Sequence, residues 1–166
     1  ASAAAVRRRV RRGFDGGVES TATRFTTCEL AWSVAAGDTA AVPALVRELH
    51  PHIVTYCRGR ARLVGSPFAD ADRLAVEVCR TILAELAAPS GPDRPFVRTA
   101  YTIAADAADT RFRYPAGSPL THVQQEILIL RTLVGLDPRQ TATALALAPA
   151  RVGVEQHAAL SSLRVA

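Results

Sequence analysis

The apolar residues of segment 37–65 recur at three- and four-residue steps, and this spacing dictates a helix. Leu45, Leu49, Ile53 and Tyr56 fall on one stripe, which is the pattern of an amphipathic helix that buries one face. The same period returns repeatedly downstream, and no segment alternates with period two for long enough to predict a strand. The 166-residue chain is therefore expected to be all-α.

Turn signals divide this helical pattern into separate helices. The first predicted helix covers 27–36 and ends at Gly37. Pro51 is expected to kink or divide the second helix, because a proline inside a helix removes one hydrogen bond and clashes with the preceding turn. Ser66 is expected to cap the third helix and Thr121 a later one.

Composition shifts predict two helical domains. Segment 1–26 has no apolar period and is interpreted as a flexible basic arm. Residues 27–113 are expected to form a helical bundle, and 120–166 a smaller helical domain. The sequence "YPAGSP" at 114–119 breaks the pattern and is interpreted as the linker.

The positive charge lies mostly in the arm. The net charge is +5, every basic side chain is an arginine, and "RRRVRR" at 7–12 carries five of them. A basic run of this kind is either a solvated arm or a phosphate contact. The overall charge points mildly towards a polyanionic partner.

Residue types that carry catalysis or bind metals do not form recognisable motifs. The sequence has no glycine-rich phosphate loop, no His-Glu-x-x-His and no Gly-x-Ser-x-Gly. Cys28, Cys57 and Cys79 are far apart, so buried thiols in a reducing cytosol are the simplest interpretation. His50 and His52 could bind a metal only with partners elsewhere. The expectation is a protein without catalysis, metal, cofactor or membrane span.

The C-terminal segment has the pattern of a helix-turn-helix. Asp137 and Pro138 form a strong helix start, because proline at the first helical position loses no needed hydrogen bond. The stretch "LALAPARVGVEQHAAL" at 145–160 places a turn before a last helix. Arg151 and Gln156 are expected on the outer face of that helix, where they could contact bases or phosphates. A generic three-helix packing unit explains the same pattern.

Small and apolar residues predict how the two helices of this motif pack. Ala144 can be the small residue that faces the second helix. Leu145 and Val152 are expected to anchor the pair. Leu160 and Leu163 are expected to close the core.

Longer stretches resemble a known family. "QQEILILRTLVGLDPRQTATALALAPARVGVEQHAALSSLR" is similar to region four of extracytoplasmic-function (ECF) sigma factors of the sigma-70 family. "VPALVRELHPHIVTYCRGRA", "ADADRLAVEVCRTILAEL" and "RPFVRTAYTIAADAAD" resemble region two, most closely of the actinobacterial sigma-D type. The resemblance covers about 27–113 and 119–164, in the order that the family has.

This resemblance implies a function in transcription initiation and a set of partners. Region two of the family binds core RNA polymerase and the promoter −10 element, and region four binds polymerase and reads the −35 element. Core polymerase, promoter DNA and an anti-sigma factor are thus the partners implied, in the cytoplasm. The polymerase-facing positions implied are Asp70, Asp72, Arg73 and Glu77. The DNA-binding positions implied are Arg94, Arg111, Arg113, Arg139, Arg151, Gln156 and His157. Phe96 and Tyr101 match −10-reading positions but also suit a core.

Several positions depart from the family pattern. Arg73 and Val76 stand where an acid and a glutamine are usual, and Gly153 and Ala158 stand where arginine is frequent. The tether 114–119 is also shorter than in the family. Either residues are absent from this sequence at the tether, or the chain is a divergent relative. The alternatives to a sigma factor are a degenerate regulator that binds polymerase without reading promoters, and an unrelated helical interaction module.

Overall fold

The computed structural model describes residues 20–88 and 94–165, and the described residues form helices and turns without a strand. This confirms the all-α expectation. The α-helices are α1 (Ser20–Ala35), α2 (Val42–Leu63), α3 (Phe68–Ala87), α4 (Phe96–Arg111), α5 (His122–Leu128), α6 (Pro138–Leu145) and α7 (Pro149–Val165). A 3-10 turn (Thr39–Ala41) precedes α2, and a π-helix (Ile129–Val134) continues α5.

The first helix begins earlier than the sequence pattern predicted. Helix α1 starts at Ser20, so the end of the segment 1–26 that was predicted to be a flexible arm is helical. The apolar period that marks an amphipathic helix is missing there, which is why the pattern did not reveal it. The arginine run at 7–12 lies outside the described residues.

Helix α2 is one uninterrupted helix. Pro51 lies inside it without dividing it, which rejects one of the two outcomes expected for that proline. The hydroxyl of Thr55 donates a hydrogen bond to the Pro51 carbonyl at 2.9 Å. The stripe that predicted this helix is buried, and Leu45, Ile53 and Tyr56 are fully covered.

The starts of later helices test the predicted caps. Pro67, not Ser66, is the N-cap of α3, and no side chain caps that end. Thr121 caps α5 as predicted, in a reciprocal pair with Gln124. Asp137 caps α6 in the same way with Gln140. Caps with this reciprocal partner three residues later were therefore predictable from sequence.

One hydrophobic core joins the two predicted domains. The large cluster built from α1 to α4 also contains residues of the C-terminal segment, namely Ile129, Leu130, Val134, Leu136 and Ala144. A second, small cluster of Ile127, Ala142 and Val152 lies within the C-terminal helices themselves. Five buried apolar residues of the C-terminal segment thus belong to the same core as the N-terminal helices. Of the helices described, none has the length and apolarity that a membrane crossing requires.

Helix α6 ends in a strained position. Ala146 is its C-cap and has a φ of 54° and a ψ of 41°, a left-handed conformation that costs an L-residue roughly 1–2 kcal/mol.

We expect Ala146→Gly to raise the free energy of unfolding by about 1 kcal/mol, because glycine adopts this conformation without the Cβ clash. Urea denaturation followed by circular dichroism measures the change. Ala84→Gly is the control, since Ala84 is exposed inside α3, where glycine should lower stability by about 1 kcal/mol. A loss of stability in both variants contradicts the account of Ala146.

Candidate nucleic-acid interface

Helices α6 and α7 form the predicted helix-turn-helix. Residues 146–148 separate them, and a connector of three residues suits this motif. Val152 is fully buried and has the predicted anchoring role. Ala144 is 5% exposed, but it lies in the large core shared with α1 to α4, and Ala142 is the small residue that clusters with Val152. Leu160 and Leu163 do not close the core, because they are 42% and 49% exposed. Ala159, the residue before Leu160, is fully buried instead.

The outer face of α7 is small and lightly charged. Arg151 and His157 are exposed, as is Gly153 between them. Arg151 Nε lies 3.4 Å from Glu155 Oε1, and an exposed pair of this kind adds little stability, so phosphate can replace the carboxylate. An added Cβ at Gly153 would meet no atom within 4 Å.

Gln156 lies at the side of the outer face of α7. Its side chain is half-buried, and its Oε1 accepts a hydrogen bond from Arg131 Nε at 3.2 Å. Glu155 is held in a similar way, because Gln124 Nε2 donates to its Oε2 at 3.1 Å. These two hydrogen bonds join α7 to α5 and to the π-helix that continues α5.

The other positions that the resemblance implies for DNA binding lie around α4 and α6. Arg94, Arg111 and Arg113 are exposed at the two ends of α4. Arg139 is exposed on α6 and lines an open cleft of about 450 Å³ together with Arg98 of α4. The structure therefore brings Arg139 beside the helix that the resemblance assigns to the −10 element.

The two aromatic candidates for base contact have different surroundings. Tyr101 is 7% exposed, and its ring meets the ring of Tyr56 edge-on with a centroid distance of 5.8 Å. This places Tyr101 in the core. Phe96 is half-buried at the start of α4 and packs against the same core.

Each acidic position proposed on α3 has an arginine partner. Arg58 donates to both carboxylate oxygens of Asp72, at 2.7 and 2.8 Å, and these hydrogen bonds lower the pKa of Asp72. Asp70 pairs with Arg73 one turn along the helix. Glu77 Oε2 lies 3.9 Å from Arg111 Nη2. The charge that α3 offers to a basic surface is thus partly neutralised within the chain.

A buried charge cluster centred on Arg60 was not predicted from the sequence. The Arg60 side chain is fully buried, and its Nη1 donates to Glu126 Oε1 at 2.7 Å. Its Nη2 pairs with Asp109 at 2.5 Å and donates to the Phe112 carbonyl at 3.1 Å. The guanidinium also lies over the ring of Tyr114, 4.0 Å from its centroid. Arg60 follows Tyr56 by four residues on the apolar stripe of α2, and that register was the signal available in the sequence.

Glu126 is the point where this cluster crosses between segments. It is 3% exposed, and Tyr56 donates to both its oxygens at 3.0 Å. Tyr114, from the linker, donates to the same carboxylate. Burial and the neighbouring carboxylate raise the pKa of Tyr56 and of Tyr114 well above their usual value.

Comparisons with known proteins show which proteins this chain resembles. A scan against family models finds no match. The chain is similar to the ECF RNA polymerase sigma factor SigD of Mycobacterium tuberculosis, with 30% identity over 90% of this chain and 94% of the relative. The ECF RNA polymerase sigma factor ShbA of Streptomyces griseus is 30% identical over 77% of this chain and 88% of that protein.

A solved structure shares the fold. The structure of CnrH in complex with the cytosolic domain of CnrY has a TM-score of 0.69 and 22% identity, and the match covers 84% of this chain and 96% of that one.

The fold and the helix-turn-helix define a helical transcription factor of two segments. The chain belongs to the ECF RNA polymerase sigma factors, and its function is transcription initiation at promoters together with core RNA polymerase.

The tyrosine pKa values predict how the protein responds to alkali. A tyrosine whose pKa is raised in the folded state keeps its proton more strongly when the protein is folded. The free energy of unfolding therefore has its full value at pH values below the unfolded pKa of 10.0 and falls as the pH rises above it. We therefore expect Tyr56 and Tyr114 to ionise only as helicity is lost. Tyrosinate absorbance and circular dichroism, recorded together against pH, measure both events. A titration in denaturant, where all tyrosines ionise near pH 10, is the control. Full ionisation near that pH with helicity retained would argue against buried tyrosines.

Proposed function

We propose that α7 enters the major groove of promoter DNA and reads it chiefly through Arg151 and His157. The observation that carries this proposal is the α6–α7 geometry, a three-residue turn followed by a helix whose outer face is exposed. In such motifs the first helix crosses the backbone, and Arg139 on α6 is suited to phosphate contact there. Arg94, Arg111 and Arg113 around α4 supply further positive charge for the −10 region.

The exposed side of α3 is the proposed polymerase contact. Asp70, Asp72, Arg73 and Glu77 lie there, and their arginine partners are at the surface or close to it. Exposed ion pairs contribute little stability, so a basic polymerase surface can replace the intramolecular partner at a modest cost.

The domain division and the setting of the protein belong to the same proposal. We infer that 27–113 acts as region two and 120–166 as region four, with 114–119 as tether. The protein acts in the cytoplasm and performs no catalysis of its own. An anti-sigma factor is the proposed regulator by analogy, because CnrH was solved with the cytosolic domain of CnrY.

A regulator that binds polymerase without reading promoters is the second candidate. The small outer face of α7 favours it, because Gly153 offers no side chain and Gln156 is engaged by Arg131. Few side chains of α7 are therefore left to contact base edges, as expected of a regulator that does not read promoters.

Run-off transcription separates the two candidates. Purified core RNA polymerase transcribes a pool of genomic promoter fragments with and without the protein. We expect discrete new transcripts whose upstream sequences share two elements. Co-elution with polymerase without new transcripts would favour the degenerate regulator instead.

Two substitutions on α7 should move DNA affinity in opposite directions. Arg151→Ala removes one phosphate or base contact, so affinity falls and the slope of log affinity against log salt shrinks by about 1. Gly153→Arg should raise affinity and steepen the slope, because the position is open and the helix gains about 1 kcal/mol of propensity.

Fluorescence anisotropy on promoter fragments measures both effects at matched salt. Arg47→Ala is the control, since Arg47 is 74% exposed on α2 and carries the same charge. Equal affinities for the parent and the three variants would show that α7 does not contact DNA.

A matched pair of glutamates tests the polymerase contact on α3. Glu77→Gln should weaken binding to core polymerase by about threefold to tenfold, since rim charges contribute modestly. Glu85→Gln changes an exposed glutamate eight residues further along the same helix and should leave binding unchanged. Surface plasmon resonance with immobilised core polymerase provides the comparison. If both variants bind core polymerase with the affinity of the parent, Glu77 is not part of the polymerase contact.

A further inference from the structure

An open cleft lies between α4, α6 and the start of α7. Its volume is about 450 Å³, which falls within the range of about 300–1,000 Å³ that is usual for small-molecule sites. Arg98 of α4 and Arg139 of α6 both line this arginine cleft. The other described residues of its lining are Pro95, Ala142, Thr143, Ala146, Leu147 and Pro149.

The two guanidinium groups of the arginine cleft have no carboxylate partner in the described part of the chain. Neither Arg98 nor Arg139 forms an ion pair there, and none of the described lining residues is acidic. Arg58, Arg60 and Arg111, in contrast, each pair with an acid. Two like charges therefore line one cleft without compensation, and a bound anion would reduce their mutual repulsion.

Two helix N-termini add positive potential at the same place. Pro95, the N-cap of α4, and Pro149, the first residue of α7, both line the cleft. No described side chain caps α4, so the N–H groups of its first turn, which have no partner within the helix, keep their partial positive charge. The C-terminal end of α6 also meets the cleft, but its Ala142 carbonyl already accepts a hydrogen bond from the N–H of Leu147 at 2.9 Å. The local potential thus favours an anion.

The remaining walls of the arginine cleft are mostly apolar. They consist of the two proline rings, alanine side chains and the half-buried Leu147. The hydroxyl of Thr143 already donates to the Arg139 carbonyl at 3.0 Å. Apolar walls with a few placed polar groups are typical of sites for small organic ligands, and arginine binds phosphate through two parallel hydrogen bonds. The lining therefore matches a molecule that carries a phosphate beside a flat ring.

The different exposure of the two arginines favours a small ligand over a DNA backbone. Arg139 is exposed, whereas Arg98 is half-buried, and both line a concave surface between packed helices. The backbone of a duplex is convex and extended, so it contacts exposed side chains such as Arg139. A small phosphorylated molecule can enter the concave surface and contact both arginines.

We propose that the arginine cleft is a binding site for a nucleoside phosphate. Arg98 and Arg139 hold the phosphate, and the base lies against the proline and leucine walls. Arg139 is also a position proposed for contact with promoter DNA, so the ligand and the DNA compete for its side chain. This competition rests on the proposed function, whereas binding of the ligand does not.

Equilibrium dialysis of the full chain with radiolabelled ADP tests the site, in magnesium-free buffer and without DNA. We expect saturable binding of one ADP per chain. Arg98→Gln and Arg139→Gln should each weaken this binding by about tenfold, because each removes a charge-assisted contact to phosphate. Arg47→Gln removes the same charge from an exposed position of α2 and should bind as the parent does. Circular dichroism verifies that every variant keeps its helicity.

Competition with unlabelled molecules tests which chemistry the cleft recognises. Adenosine lacks the phosphate and inorganic phosphate lacks the ring, so each should displace labelled ADP about tenfold less effectively than unlabelled ADP does. Inorganic phosphate that displaces ADP as effectively as ADP itself would reject the apolar walls as part of the site. Adenosine that does so would reject the role of the arginines.

Fluorescence anisotropy with the promoter-fragment pool tests the competition for Arg139. At matched ionic strength, saturating ADP should weaken DNA binding by the parent several-fold. The same ADP concentration should have less effect on Arg98→Gln, because this variant binds ADP more weakly. An unchanged DNA affinity of the ADP-bound parent would overturn the competition.

Two dialysis results would overturn the site itself. These are the absence of saturable ADP binding by the parent, and an equal loss of binding in Arg98→Gln and Arg47→Gln. If ADP does not bind but Arg98→Gln weakens DNA binding, the cleft belongs to the DNA surface and the proposal is rejected. The proposed function is decided separately, by run-off transcription. A protein that binds ADP in dialysis but directs no transcripts would keep the site and lose the proposed function.

Discussion

Arg60 is the constraint around which the two segments are arranged. An arginine stays charged inside a protein, and this one has no exposed surface. Its charge is compensated by Asp109 from its own segment and by Glu126 from the other. Removal of one partner from a buried pair typically costs about 3–5 kcal/mol. The position of the C-terminal helices on α2 therefore depends on this contact.

The same contact relates the fold to the function. Transcription initiation by a sigma factor requires surfaces for polymerase and for promoter DNA, and in this chain the helices α4 and α6, which carry positions proposed for DNA contact, pack on each other. The proposed recognition helix α7 carries little charge on its outer face, so in this proposal its affinity for DNA rests on few contacts.

The sequence predicted the features that depend on neighbouring residues. The all-α class, the helix-turn-helix and the caps at Thr121 and Asp137 follow from local periods and from partners three residues away. Arg60 and its partner Glu126 are 66 residues apart, and no local pattern pairs them. The exposure of Leu160 was missed because an apolar period alone does not show which positions of a helix are covered by another element. The roles of Arg151 and Glu77 rest on the resemblance and on their exposed positions.

Calorimetry tests most directly whether one core unites the chain. If the Arg60–Glu126 contact and the shared core couple the segments, thermal unfolding of the parent is a single transition whose calorimetric enthalpy equals its van't Hoff enthalpy. Glu126→Ala should then split this transition, with the C-terminal helices melting first. Two separate transitions in the parent, unaffected by Glu126→Ala, would contradict the account, because the segments would then fold as independent domains.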